Sequence, residues 1–221
     1  ILFTINTIVV NGEQYTAKTI VIATGSRSMV IPNFEKALDS TDILNLEVLP
    51  EKLVIIGGGV IGIEFAAILK AMGSEVTFYL ESQALQYEGN IVKIKTKKGE
   101  VDLDCDKVLV SIGRRPNVEN LGLEELGIEF DRKGIKVDQN FKTNIDNIYA
   151  IGDVNGKNML AHYATFSGYH ALKHILNQSS NINFNLTPAC VFTIPEVATV
   201  GLTEEQCEEL GIDIKVSKSL F

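Results

Sequence analysis

The sequence predicts an α/β fold built on a parallel sheet, and three consecutive segments predict it. Lys52 to Ile56 is a short apolar strand. The turn Gly57-Gly58-Gly59-Val60-Ile61-Gly62 follows and opens a helix in which Val60, Ile63, Phe65, Ala67, Ile68 and Met72 are apolar, with Gly73 placed to end it. Glu75 to Tyr79 is then a second strand. Strand, glycine turn, helix and strand in that order open a dinucleotide-binding unit.

The flanking elements are read in chain order. Thr4 to Val10 is β-prone, Asn11-Gly12 is a two-residue turn able to take φ > 0, and Tyr15 to Ala23 returns into Thr24-Gly25-Ser26. Ser28 to Pro50 is a connector with one short turn of helix around Thr41 to Leu46. Beyond the parallel unit, Ile91 to Lys95, a Lys98-Gly99 turn and Val101 to Asp104 form a second hairpin. Lys107 to Ile112 is a buried strand running into Gly113, much as the earlier return strand runs into Gly25. Val118 to Leu126 is expected as a short helix closed by Gly127, Asn147 to Ile151 as a strand entering Gly152-Asp153, and Leu160 to Leu176 as a helix. Asn177 to Pro188 is polar and turn-rich. Ala189 to Thr193 and Val197 to Val200 are strands, Thr203-x-x-Gln206 is a capping box for a helix stopping at Gly211, and Ile212 to Phe221 reads as a strand cut short.

Composition narrows the function classes. The chain has 221 residues, 45% of them hydrophobic, enough for a real core. Its formal charge is -8, and no block of basic residues could follow a phosphate backbone, which argues against nucleic acid. No apolar run approaches the roughly 18 residues of a membrane span. We expect a soluble, cytoplasmic protein, although a first residue other than methionine, Ile1, leaves targeting open. Cys105, Cys190 and Cys207 are spaced as neither a metal knuckle nor a close redox couple, and are expected to be inert thiols. His162, His170 and His174 share one predicted helix; with no glutamate between the last two and no third ligand in view, they read as a solvated face rather than a metal site.

The chemistry concentrates in the glycine turn. Unpaired amides and the positive end of the helix dipole meet there, where a pyrophosphate can sit. Gly57 permits the tight turn, Gly59 lets a diphosphate approach the backbone, and Gly62 lets the helix pack close to the strand. Glu64, two residues on, would oppose a pyrophosphate but could reach a nicotinamide carboxamide; otherwise it only complements the dipole of the first turn. Asp153, after a strand and before a helix, either offers a carboxylate to a cofactor hydroxyl or merely forms a turn. An acid that accepts from a ribose hydroxyl belongs at the end of the second strand, and Glu81 is the candidate. Leu80 to Asn90 is too short for a parallel crossover, so roughly 50 residues carrying a helix and a strand are expected to be lacking near Tyr79 to Glu81. The sequence leaves open whether that segment is deleted from the protein or only from the residues at hand.

Four motifs in order carry a resemblance. Ala23-Thr24-Gly25-Ser26, Gly57 to Glu64, Ile112-Gly113-Arg114-Arg115-Pro116-Asn117 and Tyr149-Ala150-Ile151-Gly152-Asp153-Val154 resemble the pyridine nucleotide-disulfide oxidoreductases. Met159-Leu160-Ala161-His162 and Pro195-Glu196-Val197-Ala198-Thr199-Val200-Gly201-Leu202-Thr203-Glu204 look most like the dihydrolipoamide dehydrogenases among them. The resemblance implies Rossmann-like FAD- and NAD(P)-binding domains, the NAD domain inserted in the FAD domain, and the start of a C-terminal α+β dimerisation domain. Residues 1–28 would be part of the FAD domain, 29–113 linker and NAD domain, 114–184 the returning FAD segment, and 185–221 the start of the dimerisation domain.

For the site, the resemblance implies FAD contacts at Thr24, Gly25, Ser26, Asp153, Met159, Leu160, Ala161 and His162. It implies NAD contacts at Gly57, Gly58, Gly59, Val60, Ile61, Gly62, Ile63, Glu64 and Gly113. It further implies oxidation of dihydrolipoamide with NAD through FAD and a redox disulfide, a homodimeric parent, and a lipoyl-bearing acyl-transfer partner in a 2-oxo acid dehydrogenase or glycine cleavage complex. Near alternatives are glutathione-type or mercuric reductases, and a further one is a non-catalytic dinucleotide-binding module. The N-terminal FAD fingerprint, the cysteine pair four residues apart and the C-terminal His-Glu base of the family are not in this sequence. No catalytic residue is therefore assigned, and the chain alone is expected not to turn over.

Overall fold

The computed structural model describes residues 1–79 and 83–220. Strands β1 (Leu2–Thr4), β2 (Thr7–Val10) and β3 (Glu13–Thr16) form an antiparallel sheet. Val10 pairs with Glu13 across Asn11 (φ 51°) and Gly12 (φ 85°), the positive-φ pair that a tight hairpin needs. The return strand stops at Thr16 rather than running to Ala23. Ile20–Ile22 (β4) instead joins a different sheet, and Ser26–Ser28 (β5) a third.

The parallel unit forms as its pattern dictates. β6 (Lys52–Ile56) leads through the glycine turn into α1 (Val60–Met72), which ends at left-handed Gly73, and β7 (Glu75–Tyr79) pairs parallel with β6. A meander follows, β8 (Gln83–Glu88), β9 (Ile91–Thr96) and β10 (Gly99–Asp104), before β11 (Lys107–Val110) returns to the other side of β6. From Leu53 to Ile56 strand β6 is apolar because both its faces are covered. Leu53 and Ile55 pack with Leu69 of α1, while Val54 and Ile56 pack with Val92 and Ile94 of the meander. The inward stripe of α1 is buried Gly62 and Leu69 with half-buried Phe65 and Ala66, at helical spacing, whereas Val60, Ile63, Ile68 and Met72 stay exposed.

The remaining elements are β12 (Arg114–Pro116), β13 (Phe130–Asp131), β14 (Gly134–Ile135), β15 (Ile148–Ala150), α2 (Ala161–Ile175), β16 (Ala189–Val191), β17 (Val197–Thr199) and α3 (Glu204–Glu209). β4 pairs parallel with β15, and β5 pairs antiparallel with β12. The two strands that run into Gly25 and Gly113 thus belong to different sheets, and their continuations pair with each other and join the two halves.

Several expectations need correction. Val118 to Leu126 is not a helix: Asn120 turns into the left-handed region (φ 59°), and the Leu121 carbonyl accepts from the Leu2 amide at 2.7 Å, so this backbone serves β1 instead. Residues 212–220 form no strand, since nothing among the described residues offers them a ladder. Of the three histidines of α2 only His162 is exposed as expected, while His170 and His174 are half-buried. Tyr149 and His174 share a 2.8 Å hydrogen bond, and His170 lies 3.2 Å from the Asn140 side-chain oxygen with its ring edge-on to Phe141 and Phe184. Burial, and secondarily His174, holds the His170 imidazole below its ordinary value. The capping box of α3 forms in both directions, Thr203 Oγ1 accepting from the Gln206 amide and Gln206 Oε1 from the Thr203 amide. No helix among the described residues is long and apolar enough to cross a membrane.

Candidate functional site

The glycine turn is pressed against the end of β11. A Cβ on Gly57, whose φ is +111°, would stand 2.5 Å from the Ser111 carbonyl oxygen. A Cβ on Gly62 would stand 2.5 Å from both the Gly57 carbonyl oxygen and Ser111 Oγ. The buried Ser111 hydroxyl donates to the Gly57 carbonyl at 3.2 Å and so fixes the turn to the strand beside it. Gly59 differs, since a Cβ there would meet nothing nearer than the Ser111 oxygen at 3.9 Å. No side chain caps α1 at Gly59, and the amides of its first turn have no acceptor within the helix. That arrangement presents the donors an anionic diphosphate requires.

A cleft of about 620 Å³ opens over this turn. Gly57 to Ile61 and Ser111 to Arg114 border it on one side, Met159 and Leu160 on another, and residues of β16 and β17 complete its wall. The structure therefore brings Gly57, Gly58, Gly59, Val60, Ile61, Gly113, Met159 and Leu160 onto one cavity. Gly62 and Ile63 do not border it: Gly62 is buried beneath Ser111, and Ile63 faces outward. Glu64 is the fifth residue of α1, past its first turn, and its Oε1 accepts the Phe192 amide at 2.9 Å, so the expected complement to the helix dipole is weak.

The residues expected to meet the flavin form a second group. Ser26 Oγ donates to Asp153 Oδ2 at 2.6 Å and accepts from Arg114 Nε at 2.8 Å, while an Arg114 terminal nitrogen donates to the Ser26 carbonyl at 2.8 Å. Thr24 Oγ1 donates to the Asn117 carbonyl at 2.7 Å, and Asn117 returns bonds to the Thr24 and Gly25 carbonyls. Ala161 begins α2, and next to it His162 Nε2 donates to the Pro188 carbonyl at 2.8 Å. Arg114 touches both groups, because it holds Ser26 and borders the cleft.

Sequence reading missed Ser111, Arg114 and the β16–β17 wall. Ser111 had a signal, its place at the carboxyl end of a parallel strand beside the glycine turn. The wall had none, since its position depends on long-range contacts. Glu81 lies outside the described residues, as does the rest of the suspected deletion point at Tyr79 to Glu81 beyond Tyr79 itself. Of the three thiols, Cys105 and Cys207 are buried, and burial, with Asp104 and Asp106 nearby, pushes the Cys105 thiol up to about 11. Cys190 is exposed and borders the cleft.

A family model described as pyridine nucleotide-disulphide oxidoreductase matches residues 2–94 and 76–168, and the dimerisation-domain model of the same family matches residues 187–221. The chain belongs to the pyridine nucleotide-disulphide oxidoreductase family. Dihydrolipoyl dehydrogenase from Bacillus subtilis is 37% identical over 250 residues, covering 96% of this chain and 53% of that protein. The Staphylococcus aureus dihydrolipoyl dehydrogenase is 39% identical over 246 residues, covering 94% and 53%. Among solved structures, the HOCl-induced flavoprotein disulfide reductase RclA from Escherichia coli superposes with a TM-score of 0.84 at 27% identity, covering 97% of this chain and 58% of that one. The chain spans about half the length of the curated relatives it matches. Its fold is the nucleotide-binding α/β fold of these oxidoreductases, continuing into the start of the dimerisation domain.

Proposed function

We propose that this chain is the nucleotide-holding part of a dihydrolipoamide dehydrogenase that works with FAD and NAD in the cytoplasm. One observation carries the reading: the glycine turn, Gly113 and Met159–Leu160 border a single cleft, as they must if a nicotinamide is to meet a flavin. Open amides at the start of α1 suit the NAD diphosphate, and the Ser26–Asp153–Arg114 network suits the hydroxyls and phosphate of FAD. The bound cofactors supply the redox chemistry, while these residues bind, orient and exclude water. The division into FAD, NAD and dimerisation parts at 28, 113 and 184 belongs to the same proposal, as do a homodimeric parent and a lipoyl-bearing acyl-transfer partner. So does a lacking crossover between β7 and β8. The 250-residue span of the B. subtilis match exceeds the 221 residues of this chain, and the two family matches overlap across residues 76–94.

The test is substrate choice by the intact parent protein. NADH-dependent reduction of lipoamide should exceed that of oxidised glutathione or mercuric ion by at least about tenfold, while this chain alone should show none. Preference for glutathione or mercuric ion, or turnover by the isolated chain, would overturn the reading.

A further inference from the structure

Two of the expected flavin-contacting groups lie on separate elements, Asp153 in the turn Gly152–Asn155 that follows β15, and Met159 to His162 at the start of α2. Most of that turn is pinned from the sheet side. The Ile151 amide donates to the Ile22 carbonyl of β4 at 3.0 Å, Val154 is fully buried in the apolar core, and the Asn155 side chain donates to the Ala150 carbonyl at 3.0 Å. The Gly152 amide is buried, and its acceptor lies on α2: Ser167 Oγ, at 3.1 Å. Ser167 is itself wholly buried and donates its proton to the Ala164 carbonyl at 2.8 Å, which leaves a lone pair for Gly152. Helix and turn approach this closely because Ala164 and Gly168 flank Ser167 with little bulk. A Cβ on Gly168 would stand 3.2 Å from Ile151 Cδ1, and one on Gly152 would stand 3.1 Å from the Ala164 Cβ. Every one of these contacts lies between residues 22 and 168, none in the dimerisation segment.

We propose that Ser167 is a positioning residue for FAD: by holding the Gly152 amide it fixes Asp153 relative to Met159 to His162, so that both groups meet one cofactor. Asp153 is the residue next to the held amide, and its carboxylate accepts from the Ser26 hydroxyl at 2.6 Å. Without the Ser167 hydroxyl the buried N–H loses its acceptor, and the turn must either carry that cost or rotate to relieve it. Rotation at Gly152, whose φ is +67°, swings the carboxylate of the next residue away from Ser26. The inference deepens the proposed function and rests on its assignment of Asp153 to FAD; Ser167 touches no cofactor and acts through Asp153.

Two measurements on the intact parent protein, stripped of flavin, test it. Ser167→Ala should speed amide exchange at Gly152 by about tenfold, the scale of one buried hydrogen bond, while exchange in β6 stays unchanged and shows the fold intact. It should also weaken FAD binding, read by flavin fluorescence, by about tenfold. The deciding arm is the double variant. If Ser167 acts through Asp153, Ser167→Ala should add less than about twofold to the loss that Asp153→Ala already causes, whereas a merely structural role would add its loss in full. Unchanged exchange at Gly152, unchanged FAD affinity in Ser167→Ala, or full additivity in the double variant overturns the proposal. An unaltered parent protein that binds no FAD overturns the proposed function itself and this inference with it, and is told apart because the loss is then not confined to the variants.

Discussion

Gly57→Ala should destabilise the chain by about 3 kcal/mol or more, read as a fall in the urea unfolding midpoint. Two costs add. A φ of +111° is one that alanine rarely adopts, at about 1–3 kcal/mol, and the new Cβ would lie 2.5 Å from a backbone oxygen that cannot swing aside. Overpacking of that kind costs about 1–3 kcal/mol more. Ser111 would have to move, and with it the end of β11 and the hydroxyl that bonds the turn. Against a typical total stability of about 5–15 kcal/mol, that loss is large. An unchanged midpoint would mean that the turn is not seated on β11 as described.

Gly59→Ala should do the reverse, leaving the unfolding midpoint within about 0.5 kcal/mol of the parent while weakening NAD binding at least about tenfold. Its φ of -75° is ordinary for alanine, and nothing crowds a Cβ there. The added methyl projects where the diphosphate must come within hydrogen-bonding distance of the first-turn amides. Retained affinity in a stable Gly59→Ala protein would place the nucleotide elsewhere. The two substitutions, two residues apart in one turn, therefore separate a glycine that the fold needs from one that the ligand needs.

The sequence made the local chemistry legible and left the long-range geometry hidden. The unit from Lys52 to Tyr79 was readable because strand, turn, helix and cap each declare themselves within a few residues. The same is true of Asn11-Gly12 and of the Thr203 capping box. Gln83–Glu88 was not read as a strand, since it contains no β-branched residue and owes its conformation to pairing with β9. The three-residue pairing of β5 with β12 joins segments 88 positions apart and has no local signature. Glu64 stands out in the sequence by its place beside the glycine turn, but the partner its carboxylate finds is a backbone amide 128 positions away. His170 shows the same limit from the other direction: with no third ligand in view the sequence predicts a wet face, and only tertiary packing brings Phe141 and Phe184 over it.

The central claim is that the cleft over Gly57–Gly62 holds NAD. Calorimetric titration of the 221-residue chain with NAD and with NADP tests it most directly. One NAD should bind per chain, at least about tenfold more tightly than NADP. Tighter binding of NADP, or binding of neither nucleotide, would contradict it.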